Sequence, residues 1–578
     1  MKTWQKWLVV LIPFAIIGVA IIAFLIYFLT SESPGIAKAK EKYITLPLYG
    51  DILDNSQQGP FGDIFQETNP TLLKYIIGIR KAREDQSVTG LIIRPFNLQL
   101  GFAKIEELRD ALIDFRQSGK RLIAFLEYTS TRDYYLASTA EEIYMVPNGT
   151  LALIGLSAEA TFLKDALGKL GVKADFVHIG QYKTAADQYT KNSMSAQYSE
   201  VMNRLMDDIY QQVLRGISEN YPDSTQSIAS LIDQAPLTAG KAQKLQLVDS
   251  LLYWDELENL LNLNSSHVKK ISFDHFLETQ QSGVYISSGN KIALLFASGT
   301  IYSGSSGYSP FYGNVIGDES LISQIRRAAN DESVKAIVMR IDSPGGSGMA
   351  SDLIWREVKK ARLKKPFVIS MADVAASGGY YIAMAADKIV AQPSTITGSI
   401  GVISGKFNLK GFYDKIGIKK EQINRGKHAN LYSDYKNFSL QERENIRENM
   451  QEFYEEFTRK AAEGRNMPVE ELEKIAQGQV WSGYRAKQLA LVDTLGGLVT
   501  AVRVAQEMAG IPAYRHAKIL IYPKHKSLLE RLIERQITTQ LQAIIPFFKN
   551  DLRETGEFLE IFKNGEILSL LPFKLELK

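Results

Sequence analysis

Ser399 has the local sequence of a reactive serine. It lies in the run Thr395-Ile-Thr-Gly-Ser-Ile-Gly-Val-Ile-Ser404, between Gly398 and Gly401, ahead of a segment that we expect to be helical. Glycines on both sides remove side-chain bulk and permit a sharp turn, so the hydroxyl can face a ligand with backbone amides nearby. This arrangement suits a nucleophile, although an ordinary glycine-rich turn has the same residues. The rest of the chain has to decide between these two interpretations.

An acyl-transfer nucleophile needs hydrogen-bond donors for the oxyanion that develops on the attacked carbonyl. The segment Asp342-Ser-Pro-Gly-Gly346 follows a strand that we predict at residues 337–341, which begins with the apolar run Ile337-Val-Met339. Gly345 and Gly346 carry no side chains, so their backbone N–H groups can approach a ligand closely. We therefore predict that these two amides form the oxyanion hole for the serine.

The chain contains an internal repeat, which is visible when positions 246 residues apart are compared. Arg80 then matches Arg326 and Asp85 matches Asp331, and no gap is needed between residues 80 and 180. Each copy alternates short apolar runs with stretches of helical period. This alternation predicts α/β domains with buried, near-parallel strands, present as a tandem duplication.

The two copies differ at the positions where chemistry is expected. Ser399 matches Leu153, and the two glycines of the predicted oxyanion hole match Gln99 and Leu100. The first copy therefore lacks both the nucleophile and the oxyanion hole.

A serine hydroxyl also needs a base to accept its proton. The chain has no cysteine, and its six histidines are scattered without metal-ligand spacing, so we predict neither a metal nor a cofactor. A Ser-His-Asp triad has no obvious candidate histidine, and the alternative bases are a lysine or a carboxylate. Lys183 lies in Gly180-Gln-Tyr-Lys-Thr-Ala185 and matches Ala429 when Gly180 is aligned with Gly426. Each copy has thus lost a residue that the other keeps, as expected for one site built across two domains.

Overall composition excludes one class of partner. The net charge is only +3, from 67 basic and 64 acidic residues that are spread along the sequence. Proteins that bind nucleic acid usually carry a clustered basic surface. We therefore expect no nucleic-acid partner.

The N-terminus carries a long apolar segment. Residues 7–29 include no charged side chain, and as a helix of about 34 Å they would cross a hydrocarbon core of ~30 Å. The following Ser31-Glu-Ser-Pro34 is a poor cleavage site, so we predict an uncleaved membrane anchor rather than a signal peptide. Lysines lie on both sides of the segment, so its charges leave the orientation open.

These features divide the chain into an anchor at residues 1–30, α/β domains at 31–285 and 286–512, and a tail at 513–578. Leucines and isoleucines recur at helical spacing between Leu528 and Ile545 of the tail. We expect a helix there that packs against the core or a neighbouring subunit rather than on a membrane surface.

Several segments, in the same order along the chain, resemble the long two-domain form of the signal peptide peptidase A or protease IV family. They are the N-terminal anchor, Gly180-Gln-Tyr-Lys-Thr-Ala185, Asp342-Ser-Pro-Gly-Gly346, Ala375-Ala-Ser-Gly-Gly-Tyr380, Thr397-Gly-Ser-Ile-Gly401 and Ile475-Ala-Gln-Gly-Gln-Val-Trp-Ser-Gly483. The resemblance covers nearly the whole chain and is weak beyond residue 512.

The resemblance implies a membrane-bound serine peptidase whose two domains have a Clp-protease/crotonase-like fold and assemble into a homotetramer. It implies Ser399 as nucleophile and Lys183 as general base. It also implies signal peptides and other extended apolar peptides as substrates. The location implied is the inner (cytoplasmic) membrane, with the catalytic domains on the outer, periplasmic side.

Two other functions and one other nucleophile are compatible with parts of the sequence. Crotonase-like proteins that act on acyl-CoA use a two-amide oxyanion hole without a nucleophile, and an inactive membrane scaffold would need no dyad. Ser377, in Ala375-Ala-Ser-Gly-Gly-Tyr380, is the alternative nucleophile, and its structural interpretation is a helix N-cap.

Overall fold

The computed structural model describes residues 41–54, 70–221, 225–281, 290–309, 313–512, 517–522 and 566–571. The anchor predicted at residues 7–29 and the helix predicted between residues 528 and 545 lie outside these ranges. Within the described ranges, no helix is both long enough and apolar enough to cross a membrane.

The first copy is built on a mainly parallel sheet with strand order β6-β4-β3-β2-β1-β8, to which β7 is added beside β4. Its strands are β1 Glu41–Gly50, β2 Val88–Leu98, β3 Arg121–Ser130, β4 Glu142–Ala152, β6 Leu237–Thr238, β7 Ser250–Leu251 and β8 Val268–Ser272, whereas β5 Lys173–Ile179 joins another sheet. Its helices are Leu72–Glu84, Phe102–Arg116, Thr131–Ala137, Lys164–Leu170, Asp187–Thr190, Ala196–Ser218, Thr225–Ile232, Ala239–Lys244, Trp254–Leu260 and Phe273–Gln281.

The second copy repeats this plan in a sheet of order β19-β17-β15-β13-β9-β21, with β16 beside β15 and β20 beside β16. The strands from this part of the chain are β9 Lys291–Ser298, β10 Thr300–Tyr302, β11 Gly307–Ser309, β12 Gly313–Gly317, β13 Val334–Ser343, β14 Gly345–Ser347, β15 Phe367–Ala376, β16 Lys388–Ala391, β17 Ile396–Gly398, β18 Val402–Asn408, β19 Val480–Ser482, β20 Thr494–Leu495, β21 Lys518–Tyr522 and β22 Leu568–Leu570. The helices are Asp318–Asn330, Gly348–Arg362, Gly378–Ala383, Lys410–Lys415, Leu440–Arg465, Val469–Ile475, Gly483–Gln488 and Leu498–Met508.

The duplication is confirmed by the positions of these elements. Helix Leu72–Glu84 corresponds to Asp318–Asn330, and Phe102–Arg116 corresponds to Gly348–Arg362, each displaced by the same 246 residues. The predicted parallel strands are also present, since β2 pairs with β3 and β13 pairs with β15 in parallel. Their apolar runs are fully buried because helices cover the sheets, as expected of parallel strands.

A third sheet joins the two copies. Its order is β11-β12-β10-β14-β22-β18-β5, and β5 of the first copy runs antiparallel to β18 of the second. Residues 419–425, which match β5 in the repeat, form no strand. The two copies are therefore connected through an element in which their structures have diverged.

The segment that follows Ser399 is β18, so the prediction of a helix there was wrong. Val402 and Ile403 are buried and pair with β5, and Ile403 also pairs with β22. β-branched residues such as these suit a buried strand. The strands that pair with them come from distant parts of the chain. A local pattern could not reveal those partners.

A buried ionic cluster also holds the copies together. Arg340 of β13 is fully buried, and its Nη2 lies 3.2 Å from Asp54 Oδ1 and 2.5 Å from Glu107 Oε1, both in the first copy. Its Nη1 donates to Ser370 Oγ at 2.9 Å and to the Met371 carbonyl oxygen at 3.0 Å. The guanidinium thus fixes the first copy against two strands of the second.

Arg340→Met is expected to destabilise the protein by about 3 to 5 kcal/mol, because two buried carboxylates would lose their cation. The measurement is the midpoint of urea unfolding. Arg326→Met is the matched control, because Arg326 is largely exposed and solvent screens its pairing with Glu357. Equal midpoints for the two variants would contradict a structural role for the cluster.

Candidate active site

Ser399 lies in the tight turn between β17 and β18. Its φ of +54° is a left-handed conformation that residues other than glycine disfavour. Neighbouring backbone holds the turn, because Ser399 N–H donates to Gln479 O and Gly478 N–H donates to Ile400 O, both at 2.6 Å. A Cβ on Gly401 would lie 3.0 Å from Gly478 Cα, so the glycine permits this close approach. Strained serines held in this way are common at functional sites.

Lys183 reaches the same place from the first copy. It lies in the loop after β5, and the pairing of β5 with β18 carries this loop to the turn that bears Ser399. The loop is fixed by hydrogen bonds from Tyr182 N–H to Gln477 O at 2.8 Å and from Lys183 N–H to Gly180 O at 3.1 Å. The segment Gly180–Ala185 is therefore held against the second copy.

The Lys183 amine contacts two serines. Its Nζ lies 2.9 Å from Ser399 Oγ, 3.1 Å from the Ser399 carbonyl oxygen and 2.7 Å from Ser377 Oγ. All three side chains are fully buried. The structure thus brings together the two residues that the sequence analysis selected from different copies, and it adds Ser377 as a direct neighbour.

Burial lowers the pKa of Lys183 well below its usual value, because the charged ammonium loses its hydration. Among the residues that the structure describes, no charged neighbour offsets this loss. The amine is therefore in an environment that favours its neutral form, which can accept a proton.

Ser377 occupies the N-cap position of helix Gly378–Ala383, but its side chain makes no capping hydrogen bond. Its φ of +56° directs the hydroxyl elsewhere, to the Lys183 amine and to Ser569 Oγ, each at 2.7 Å. Ser377 and Ser399 both contact the amine. The distances from Lys183 Nζ to the two hydroxyl oxygens therefore do not show which serine is the nucleophile.

Gly345 and Gly346 belong to β14 and pack against Gly378, the residue after Ser377. A Cβ on Gly345 would lie 1.9 Å from Ser569 O, and one on Gly346 would lie 2.1 Å from Ile301 O, so neither position has room for a side chain. The Gly345 N–H donates to Ser343 Oγ at 3.2 Å. A role for these two amides in an oxyanion hole stays a prediction.

The tail contributes a strand to the site that was not predicted from the sequence. β22 pairs with β14 and β18, which places Ser569 and Leu570 against the two serines of the site. The alternation in Ile567-Leu-Ser-Leu-Leu571 is a weak strand signal. Such a short segment could not have been assigned a partner from sequence.

One solved structure, the ClpP1 N165D mutant from Listeria monocytogenes, aligns with 36% of this chain and 94% of its own length. The sequence identity is 16% and the TM-score is 0.24. A score this low does not establish a common fold, so the Clp-protease/crotonase-like assignment stays a prediction. The tandem α/β architecture is confirmed independently by the sheets described above.

Sequence comparisons identify the family. The model of Peptidase family S49 matches residues 114–267 and 359–512, once in each copy. Serine protease SPPA, chloroplastic, from Arabidopsis thaliana is 36% identical over 439 residues, which cover 75% of this chain and 65% of the plant protein. Protease 4 of Salmonella typhi is 32% identical over 505 residues, which cover 84% of this chain and 79% of that protein. The chain therefore belongs to peptidase family S49 and is a serine protease.

Proposed function

We propose that the chain hydrolyses peptide bonds with a Ser-Lys dyad, in which Ser399 is the nucleophile and Lys183 is the general base. The observation that carries this proposal is the 2.9 Å separation of Lys183 Nζ and Ser399 Oγ. Both groups are fully buried, and each comes from a different copy. Membership of the family supports the class of reaction, and this contact supports the choice of Ser399 and Lys183.

The contacts of Nζ fit a neutral amine, which has two N–H groups and one lone pair. The Ser399 carbonyl oxygen can only accept, so one N–H donates to it. In the arrangement that activates Ser399, the second N–H donates to Ser377 Oγ, and the Ser377 hydroxyl donates onward to Ser569. The lone pair is then left to accept the proton of the Ser399 hydroxyl.

The reaction follows from these positions. Ser399 Oγ attacks the carbonyl carbon of a peptide while Lys183 takes the hydroxyl proton. The backbone N–H groups of Gly345 and Gly346 stabilise the oxyanion, and the protonated lysine then gives its proton to the leaving amine. Water, deprotonated by the same lysine, releases the acyl group from the serine.

Extended apolar peptides suit this site as substrates. β14 pairs with β22 in an antiparallel arrangement, and pairing of this kind binds a peptide main chain with little regard to its sequence. Apolar residues next to the dyad, Ala185, Ala186 and Ile403, form a buried wall for side chains. Signal peptides after their release are the extended apolar peptides implied by the resemblance to signal peptide peptidase A.

The proposal includes anchoring of the chain in the inner (cytoplasmic) membrane through residues 7–29, with the catalytic domains on the periplasmic side. The uncharged length of that segment supports the anchor. A homotetramer is proposed as the assembly. This assembly is the one implied by the resemblance to the long two-domain form of the signal peptide peptidase A family.

The alternative functions account for less of the site. An acyl-CoA enzyme of the crotonase type would use the glycine amides, but it would have no role for a buried lysine against a serine. An inactive scaffold would need neither side chain. Family membership and the Lys183–Ser399 contact together favour the peptidase.

A serine-reactive fluorophosphonate is expected to label the protein once, at Ser399. Intact mass would count the adducts, and peptide mapping would locate them. Lys183→Ala is the matched control, because it keeps the serine but removes its base and should slow labelling by about 10²-fold or more. A label on Ser377 would move the nucleophile, and no label on either serine would contradict the dyad.

A further inference from the structure

A short turn in the second copy holds the backbone on both sides of the dyad. It comprises residues 476–479 and directly precedes β19. The ladder that joins β5 to β18 ends at the pair Ile179 and Val402, so neither Lys183 nor Ser399 belongs to it. Other contacts have to fix these two residues relative to each other, and the 476–479 turn provides them.

On the lysine side, the turn accepts two hydrogen bonds from the loop that carries Lys183. Tyr182 N–H donates to Gln477 O at 2.8 Å, and Gln181 N–H donates to Gln477 Oε1 at 3.1 Å. Gly180 begins this loop with φ +107°, and a Cβ there would lie 2.7 Å from the Gln477 carbonyl carbon. Gln477 thus contacts the loop through both its backbone and its side chain.

On the serine side, the turn bonds to the backbone of Ser399 and of the residue after it. The Ser399 N–H donates to Gln479 O at 2.6 Å. The Gly478 N–H donates to Ile400 O, also at 2.6 Å. β19, which follows the turn, pairs with β17 just before the serine and extends these contacts. The same segment, 477–479, therefore holds both halves of the site.

Gly478 lies directly against the lysine. Its φ is +78°, and a Cβ at this position would lie 2.6 Å from Lys183 N and 2.8 Å from Lys183 Cα. These nearest atoms belong to the backbone, which cannot rotate away as the end of a side chain could. A side chain at Gly478 would therefore move the Lys183 backbone, and with it the amine that lies 2.9 Å from Ser399 Oγ.

The turn is itself held in a conformation that a free chain would disfavour. Gln477 has φ +55°, in the left-handed region that residues with a side chain rarely adopt. Its N–H donates to Tyr454 Oη at 3.2 Å. The first copy adds Arg204, whose Nη2 donates to Val480 O at 3.2 Å. Strain of this kind persists where the surroundings determine it, and it is common at functional sites.

We propose that Gln477 and Gly478 are positioning residues, which set the separation between the two groups of the dyad. This proposal rests on the Ser-Lys activity proposed above. Both residues act through the backbone of the dyad residues and not on the reacting atoms. Proton transfer needs its donor and acceptor at hydrogen-bond distance, so a displacement of about 1 Å is enough to slow the reaction by about 10²-fold.

Gly478→Ala tests the proposal in the full chain. The added Cβ displaces Lys183, so we expect kcat for a short apolar peptide to fall by about 10²-fold while KM changes by less than about twofold. The midpoint of the pH–rate profile should move to higher pH, because an amine displaced from its buried position regains hydration. Fluorophosphonate labelling of Ser399 should slow by the same factor as kcat.

Gly417→Ala is the matched control. Gly417 has φ +79°, almost the same as Gly478, but an added Cβ would lie more than 4 Å from every described atom beyond its chain neighbours. The variant imposes the same backbone strain without the contact at Lys183, so its rates and pH midpoint should equal those of the unmodified protein. Titration with fluorophosphonate gives the active fraction. A misplaced lysine slows every molecule, whereas partial unfolding reduces the number of molecules that react.

If Gly478→Ala does not fold, Gln477→Gly provides a second test. Glycine adopts the left-handed conformation freely and keeps the carbonyl that accepts from Tyr182, so the losses are the side-chain bonds to Gln181 and Glu473. kcat should fall by about threefold to tenfold, as expected for the loss of one hydrogen bond, and the pH midpoint should move in the same direction. No change in either quantity would overturn the proposal.

The outcomes separate this proposal from the dyad. A Gly478→Ala protein that matches Gly417→Ala in kcat and pH midpoint would overturn the positioning role and leave the dyad in place. A smaller active fraction with an unchanged rate per active molecule would also overturn it, since the turn would then serve folding alone. Failure of Ser399 to label in the unmodified protein would overturn the dyad instead.

Discussion

Ser399→Ala is expected to lower kcat/KM for peptide hydrolysis by at least about 10⁴-fold, because it removes the oxygen that attacks the carbonyl. Alanine has a Cβ like serine, so the turn and its backbone hydrogen bonds should persist. Initial rates with a fluorogenic apolar peptide would measure the loss. A thermal melt close to that of the unmodified protein would show that the variant is folded.

Ser377→Ala is the matched comparison, because Ser377 is also fully buried and also contacts the lysine amine. We assign it the role of a positioning residue, so its variant should keep measurable activity. The midpoint of its pH–rate profile should move to lower pH, since loss of a hydrogen-bond acceptor disfavours the charged amine. An inactive Ser377→Ala together with an active Ser399→Ala would move the nucleophile to Ser377.

The second large effect is expected at Lys183. Only the neutral amine can take the serine proton, so kcat/KM should rise with pH through one ionisation and then level off. Because burial lowers the pKa of Lys183, the rise should end well below the usual range of a lysine. Lys183→Ala should lose about 10²- to 10⁴-fold in kcat/KM, and Lys183→Arg should be nearly as inactive because guanidinium stays protonated.

Lys183→His gives an additional measurement. Its shorter ring reaches less far, but any residual activity should have a pH midpoint shifted toward ~6.5, the usual pKa of histidine. Substantial activity in Lys183→Arg would contradict the assignment of this residue as the base. The lysine would then have a structural or electrostatic role.

Lys183→Met separates loss of the base from loss of folding. Between the lowered pKa of the folded state and the usual pKa of lysine, the unfolded chain binds a proton at this residue and the folded protein does not. The free energy of unfolding therefore rises with pH across this range. Below that window the buried lysine destabilises the folded state. Methionine removes this penalty, so we expect an inactive variant whose free energy of unfolding near neutral pH is higher than that of the unmodified protein.

Much of the site could be predicted from sequence because the chain contains two copies of one domain, and each copy can be compared with the other. The copies keep the same strands and helices at a constant spacing, so the α/β architecture is evident from periodicity. Ser399 and Lys183 then stand out because each is absent from the matching position of the other copy. The structure confirmed that the apolar runs are strands. Their side chains are buried on both faces of each sheet because helices cover those faces.

The remaining features depend on contacts between segments that are far apart along the chain. The sequence by itself determined the duplicated α/β plan and selected Ser399 and Lys183 as candidates for the dyad, because hydrophobic period and residue type are local properties. Only the tertiary structure decided that the segment after Ser399 is a strand, because its partners are β5 and β22. The same holds for the placement of Ser377 against Lys183 and for the tail in the active site. Each of these depends on which backbone groups and side chains meet across hundreds of residues, and no local pattern contains that information.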